Sequence, residues 1–382
     1  MQFETLALHA GQEPEAATGA VTTPVFQVST FAQDGIGQPR GYEYARTGNP
    51  TRTALETALA ALEGGAHGLA FASGLAATQA VFQTLRPGDH VLAGDDLYGG
   101  TYRLLEQVMR PWGLQVDYVP VGETAAFAAA WRPATRLLWV ESPTNPLLRL
   151  ADIEALARLA RARGARLAVD NTFASPWLQR PLERGAHLVV HSTTKYIGGH
   201  SDLVGGAVVT SEADWASQLR FLQNAIGAIP GPWDCWLALR GHKTVAVRVE
   251  RQTQTADWQA GRLAAHPAVE QVFYPGLKAH PQYELARRQM RAPGAMLSFA
   301  LRGGFPAVER FVGALELVLL AESLGGVESL ICYPPRMTHA ALPPAERHRR
   351  GITDNLLRLS VGLEHAEDLW HDLEQALEGG SP

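Results

Sequence analysis

The chain has 382 residues, of which 46% are hydrophobic and 19% charged, with a formal net charge of −5. That length exceeds one small core and points to two globular domains with an additional arm, while the slight negative charge gives no reason to expect a nucleic-acid partner. The two cysteines, Cys235 and Cys332, lie too far apart for a CxxC or four-ligand zinc motif, and the 13 histidines form neither HExxH nor a Cys/His cluster, so no metal is expected.

The first residues, "MQFETLALHAGQEPE", carry an acid at Glu4 and no basic stretch leading into an apolar one, unlike a secretory signal. No run approaches the roughly 18 to 20 apolar residues needed to span a bilayer. A soluble, cytoplasmic protein is expected, with no membrane partner. Residues 1 to about 50 lack a sustained period and are punctuated by glycine and proline, which predicts an extended arm with turns.

From Thr51 the pattern changes: Leu55, Leu59 and Leu62 recur at helical spacing and Gly64-Gly65 ends the run. A second helix is predicted over Leu75 to Leu85, then a short strand "HVLAG". The strand-like pieces "LQVDYV", "RLLWVES", "ARLAVDN", "HLVVHS" and "GAVVTS" follow, separated by helical stretches, notably 101 to 111 and 152 to 163. Strands that are apolar on both faces and alternate with helices predict an α/β domain with a mostly parallel sheet covered by helices. Beyond about residue 245 come a long helix, "VAVRVERQTQTADWQAGRLAA", strand candidates "AMLSFAL", "LELVLLAES" and "LLRLSVGL", and a last helix, "EDLWHDLEQAL". The expected organisation is an arm over 1–55, a large domain over 56–245 and a smaller C-terminal α/β domain over 246–382.

The stretch "HLVVHSTTKYIGGHSDLVGG" holds the chemistry. An apolar strand opens into hydroxyls and one lysine, Lys195, with no acidic residue closer in sequence than Asp202. Open parallel sheets bind ligands at the carboxyl ends of their strands, which selects Tyr98, Glu141 to Asn145, Asp170-Asn171 and Ser192 to Lys195. A lysine whose pKa falls well below its ordinary value can form a Schiff base, and a carboxylate at Asp170 can hold a proton on a heteroaromatic nitrogen. Ser192 and Thr194 offer hydroxyls to a phosphate, and Ser73-Gly74-Leu75 opens a helix whose N-terminal amides favour an anion. Each element alone has an ordinary reading as a cap or a neutralised buried lysine; together they are what pyridoxal phosphate requires. "GIGQPRG" is not GxGxxG, "GGHSDLVGG" lacks the lysine-hydroxyl ending of a P-loop, and no GxSxG elbow occurs.

With those residues assembled, the chain resembles the Cys/Met-metabolism family of pyridoxal-phosphate enzymes, a branch of fold type I. The resemblance runs almost end to end through "YEYARTGNPTR", "FASGLAAT", "DDLYGGTYR", "ESPTNP", "VDNTFASP", "HSTTKYIGGHSD", "AESLGGVESL", "MTHA" and "NLLRLSVGLE". It implies that Lys195 bonds to the cofactor and shuttles protons, that Asp170 partners the pyridine nitrogen, and that Tyr98 stacks on the ring. It further implies that Asn145 lies near the phenolic oxygen and the substrate, that Gly74, Leu75, Ser192 and Thr194 form the phosphate site, and that Arg358 clamps the substrate α-carboxylate. Tyr44 and Arg46 are similar to residues that reach into a neighbouring subunit's site, implying a homo-oligomer, a tetramer built from dimers that share active sites.

The resemblance also bears on the reaction. Glu322 and Ser323 are similar to residues of the γ-acting members, and Gly100 stands where methionine γ-lyases carry cysteine, leaving room for a longer substrate. The expected activity is γ-elimination of the sulfur amino acid L-cystathionine to cysteine, 2-oxobutanoate and ammonia. Cystathionine γ-synthase is the alternative; methionine or homocysteine γ-lyase, cystathionine β-lyase and a non-catalytic cofactor-binding module are further ones. The proline-rich, basic segment from Cys332 to Gly351 reads as mobile over the site.

Overall fold

A computed structural model describes residues 1–379. The chain opens with a short helix, α1 (Phe3–His9), and an irregular stretch holding the hairpin β1 (Gln33–Gly35) and β2 (Gln38–Pro39). Helix α2 (Pro50–Glu63) follows: Asn49 accepts the amides of Thr51 and Arg52, proline occupies the first turn, and Gly64 closes the end at φ 72°. The arm is therefore not extended throughout. Phe3 and Ala7 of α1 are buried in the core, Phe3 packing tilted at 59° against Trp177 with ring centroids 5.2 Å apart.

The large sheet comprises β3 (His67–Phe71), β4 (His90–Gly94), β5 (Gln115–Val119), β6 (Thr135–Glu141), β7 (Arg166–Asp170), β8 (Leu188–Ser192) and β9 (Gly206–Thr210). Their spatial order is β3-β9-β8-β7-β6-β4-β5, and only β9 runs antiparallel to its neighbours. Alternation along each strand sends Phe71, Val91, Leu137, Trp139 and Val190 to one core and Leu92, Leu138, Val140, Leu167 and Val169 to the other. Helices cover both faces, so both must be apolar. The carboxyl ends of β3, β4, β6, β7 and β8 consequently meet at one edge.

The second sheet holds β10 (Val269–Phe273), β11 (Met296–Leu301), β12 (Leu319–Leu320), β13 (Leu330–Cys332) and β14 (Leu356–Ser360), in the order β10-β11-β14-β13-β12. All pairs but β12–β13 are antiparallel. The 21-residue helix Val245–Ala265 places Val249, Ala256 and Leu263 in the core with Leu297, Phe299, Ile331 and Leu357. No helix among the described residues is long and apolar enough to cross a membrane.

Most predicted elements fall within a few residues of their place, and three differ. The stretch 315–323 forms only the two-residue β12, because the amides of Glu316, Leu317 and Val318 donate to the Asp372 carboxylate at 2.8, 3.1 and 2.8 Å instead of to a strand. Leu319 and Leu320 are left 57% and 53% exposed. The helix expected over 101–111 begins earlier, at Gly99, and contains a π turn over Leu105–Met109. The 332–351 segment is packed rather than loose: Leu342 and Arg350 are buried, and Arg350 pairs with Glu346 and donates to the Asp95 carbonyl. An unmet buried acceptor or donor costs about 1–3 kcal/mol. Asp372→Ala should therefore lower stability by about that amount, read from the denaturant midpoint, with little change for the exposed Leu320→Ser.

Candidate active site

At the carboxyl edge of the large sheet lies a cavity of about 350 Å³, lined by Gly74, Leu75, Tyr98, Asn145, Asp170, Ser192, Thr194, Lys195, Glu322, Ser323 and Arg358 among others. One end is the start of helix α3 (Gly74–Gln83). Ser73 caps it by accepting the Ala76 amide at 3.1 Å, leaving the Gly74 and Leu75 amides without a capping partner. A Cβ at Gly74 would lie 2.9 Å from the Ser192 Cβ, so only glycine lets the helix start approach β8 this closely. The Ser192 hydroxyl lines the cavity, whereas the Thr194 hydroxyl is engaged with the Gly205 peptide, donating at 3.2 Å and accepting at 3.0 Å. Amides, a helix dipole and a serine hydroxyl fit a phosphate.

Lys195 and Arg358 face one another across this space. The lysine Nζ donates to Ser323 Oγ at 2.9 Å. Arg358, on β14 between the core residues Leu357 and Leu359, is 2% exposed; Nη1 donates to Asn145 Oδ1 at 2.8 Å and Nη2 to the Ser323 carbonyl at 3.0 Å. Its Nε is buried without a partner among the described residues. Ser323, engaged at both ends, sits at φ 101°, a left-handed conformation costly for a residue with a Cβ. Loss of solvent and the Arg358 charge lower the Lys195 pKa to about 8, against a smaller opposing pull from Glu322. A lysine poised there is a practical nucleophile and base.

Two carboxyls lie at adjacent strand ends, since the β6–β7 register pairs Glu141 with Asp170. Loss of solvent raises the pKa of Asp170, opposed by the hydroxyl and amide of Thr172 and the charge of His191. Burial and the charge of Asp170 also push Glu141 up, while its oxygens accept the Tyr98 amide at 3.0 and 2.9 Å. A cationic ring nitrogen at Asp170 would reverse that residue's shift by pairing with its carboxylate. The residues present thus fit pyridoxal phosphate at each of its functional ends. Among the described residues no cluster of His, Cys, Asp or Glu is arranged to hold a metal.

Tyr44 and Arg46 are not brought into this cavity. Tyr44 is 46% exposed, Arg46 packs over its ring, and Arg46 Nε donates to Asn224 at 3.3 Å. The room expected at Gly100 is taken by the protein itself: a Cβ there would overlap the Tyr98 ring, lying 3.0 Å from its Cδ1 and Cζ. The glycine serves the tyrosine's packing. The cavity also holds Thr172, Phe173, Leu324 and Thr338, which no expectation named; Thr172 and Phe173 directly follow the "VDN" strand end, while Leu324 and Thr338 lie in the "AESLGGVESL" and "MTHA" stretches without a chemistry of their own that would single them out.

Because the folded-state pKa of Lys195 lies below its unfolded value, the protonated lysine opposes folding below about pH 8, and that cost fades as pH rises toward 10.5. In cofactor-free protein, acylation of Lys195 followed by peptide mass spectrometry should reach half its limiting rate near pH 8, and Arg358→Ala should move the midpoint upward. A midpoint near 10.5 in the unaltered protein would contradict the electrostatics described.

The chain as a whole resembles known proteins. Cystathionine gamma-synthase of Mycobacterium tuberculosis (strain ATCC 25618 / H37Rv) is 53% identical over 375 residues, covering 98% of this chain and 96% of that one. Cystathionine beta-lyase of Coxiella burnetii is 50% identical over 377 residues, covering 98% and 97%. The crystal structure of cystathionine gamma-lyase from Lactobacillus plantarum, complexed with L-serine, superposes with a TM-score of 0.97 at 46% identity, covering 99% of each chain. The family model "Cys/Met metabolism PLP-dependent enzyme" matches residues 4–378. With this match spanning nearly the whole described chain, and a cavity whose groups fit pyridoxal phosphate, the chain belongs to the Cys/Met metabolism family of PLP-dependent enzymes.

Proposed function

We propose that this enzyme makes L-cystathionine by γ-replacement, as a cystathionine γ-synthase. The reading places the elimination expected from sequence second. The observation that carries it is the line of groups in one cavity: the Arg358 guanidinium, Lys195, and the exposed Glu322 with no salt bridge among the described residues. That line suits an amino acid carrying a second, distal ammonium, which is cystathionine as either product or substrate. Identity of 53% to proteins named cystathionine gamma-synthase favours its formation. The structural likeness to a protein named cystathionine gamma-lyase keeps the reverse-facing elimination as the second reading.

When bound, pyridoxal phosphate supplies the electron sink that makes the substrate's Cα and Cβ protons acidic. In our reading the chain's own groups do the rest. Arg358 and Asn145 bind the α-carboxylate, and Tyr98 covers the ring. Asp170 keeps a proton on the ring nitrogen, and the Gly74 and Leu75 amides with Ser192 and Thr194 hold the phosphate; Thr194 would act mainly by bracing the turn. Lys195 moves protons at Cα and Cβ, for which a pKa of about 8 is well matched near neutrality. In γ-replacement the Cγ–O bond of an O-acylhomoserine breaks, the acyl group leaves as a carboxylate, and cysteine's sulfur bonds to Cγ with loss of its thiol proton.

Tyr44 and Arg46 belong to the same proposal as groups lent to a neighbouring subunit. Support comes from their exposure outside their own cavity and from the exposed apolar Phe221 and Trp233, 70% and 56% accessible, which suit a homo-oligomer, a tetramer of such dimers. Cytoplasmic residence accompanies the reading, with Cys235 and Cys332 as buried free thiols.

The cofactor-loaded enzyme should convert an O-acylhomoserine and cysteine to cystathionine faster than it degrades cystathionine, with products identified by mass. Faster release of 2-oxobutanoate and cysteine from cystathionine would favour the second reading, and pyruvate with homocysteine would overturn both. Lys195→Ala and Arg46→Ala should each abolish most activity alone, and unfolding then refolding the two together should restore part of it. No recovery in co-refolded mixtures would rule out shared sites.

A further inference from the structure

The peptide unit joining Leu97 to Tyr98 is gripped at both polar ends. Its N–H donates to both oxygens of Glu141, at 3.0 and 2.9 Å, and its carbonyl lies 3.2 Å from Nε2 of His339. The same Nε2 is 3.1 Å from the carbonyl of Asn145. Carbonyl oxygens only accept, so Nε2 carries the hydrogen and shares it between them; Nδ1, 2.9 Å from the Thr338 hydroxyl, accepts from that hydroxyl. The ring has no solvent exposure, and burial together with the Arg358 charge lowers its pKa to about 4, so this neutral tautomer persists at neutral pH.

Two of the three partners, Asn145 and Thr338, line the cavity, Asn145 accepting from Arg358 at 2.8 Å through its side chain, and the third, Leu97, directly precedes Tyr98, which also lines it. They also come from different parts of the chain: Leu97 and Asn145 from loops at the carboxyl edge of the large sheet, His339 from the segment after β13 of the second sheet. That segment is seated so closely that a Cβ at Gly99 would overlap the Thr338 carbonyl. One imidazole therefore bonds both the carbonyl that precedes Tyr98 and the carbonyl of Asn145.

We propose that His339 is a positioning residue of this site, whose single N–H holds the Leu97–Tyr98 peptide and the Asn145 turn in register so that ring cover and carboxylate clamp are aligned. The proposal rests on the reading of this cavity as cofactor and substrate site, but not on which γ reaction follows. Losing the one N–H that both carbonyls share should weaken ligand binding by roughly tenfold, about 1.4 kcal/mol.

The test compares holoenzyme forms of the unaltered protein, His339→Gln and His339→Phe. The readouts are visible circular dichroism of the bound cofactor, spectral titration with L-alanine, which has no γ leaving group, and KM against kcat. Phenylalanine should change the visible dichroism, weaken L-alanine binding by roughly tenfold and raise KM more than it lowers kcat. Glutamine, whose amide can still donate to the carbonyls, should remain close to the unaltered protein. Should the phenylalanine variant not fold, His339→Asn keeps an amide too short to span both carbonyls and is compared with glutamine instead. Unchanged dichroism and L-alanine affinity in the phenylalanine variant, with only a lower Tm, would overturn the proposal. So would a glutamine variant as impaired as phenylalanine. A missing visible band in the unaltered protein would instead count against the reading of the cavity.

Discussion

Two cations, Lys195 and Arg358, share one poorly solvated cavity, and much of the site follows from that. Burial first, and the neighbouring Arg358 charge second, bring the lysine's pKa down to about 8. The buried arginine in turn needs acceptors, which it takes from both halves of the molecule: Asn145 at the edge of the large sheet and the Ser323 carbonyl beside the second. Breaking either would leave a buried charge with too few partners, which is far costlier than losing a surface contact. The strained φ of Ser323 is tolerated because its hydroxyl and carbonyl are each held by one of the two cations.

The opposite wall is acidic for a reason of register. β6 and β7 run parallel with Glu141 beside Asp170, so two carboxyls emerge together where the strands end. Their roles separate by what holds them. Glu141 is 5% exposed and turned to the Tyr98 amide, whereas Asp170 opens toward the cavity and is braced by Thr172. A third carboxyl, Asp96, is raised to about 6 by burial and bonded to Thr144, so the loop carrying Tyr98 is tied to the "ESPTNP" loop at more than one point.

The second sheet completes the cavity rather than merely adjoining it. Arg358, Ser323, Thr338 and His339 all come from it or its connections, and the backbone at Gly325 approaches so closely that a Cβ there would lie 2.7 Å from the Tyr196 amide nitrogen. Glycine at φ 74° is what allows the "AESLGG" stretch to lie against the turn that carries Lys195. The expected strand over that stretch failed for a tertiary reason: Asp372, far along the chain on the last helix, takes the amides a ladder would have used.

Local pattern was enough for much of this molecule. Two-faced apolar strands alternating with amphipathic helices specify a helix-covered, mostly parallel sheet, and strand-end chemistry at Tyr98, Asp170, Ser192 and Lys195 marks its ligand edge, because both are written within a few consecutive residues. The long helix Val245–Ala265 was legible to its ends for the same reason. Pairwise contacts between distant segments were not: that Gly100 makes room for the Tyr98 ring rather than for substrate, that 332–351 is packed by Arg350, that His339 grips a peptide 242 positions away. Sequence by itself determined the fold class and which residue types stand at the strand ends around the cavity, since periodicity and residue chemistry are local properties. Only the tertiary structure decided how those groups are charged and aimed, since burial and hydrogen-bond partnership depend on what the rest of the chain brings alongside.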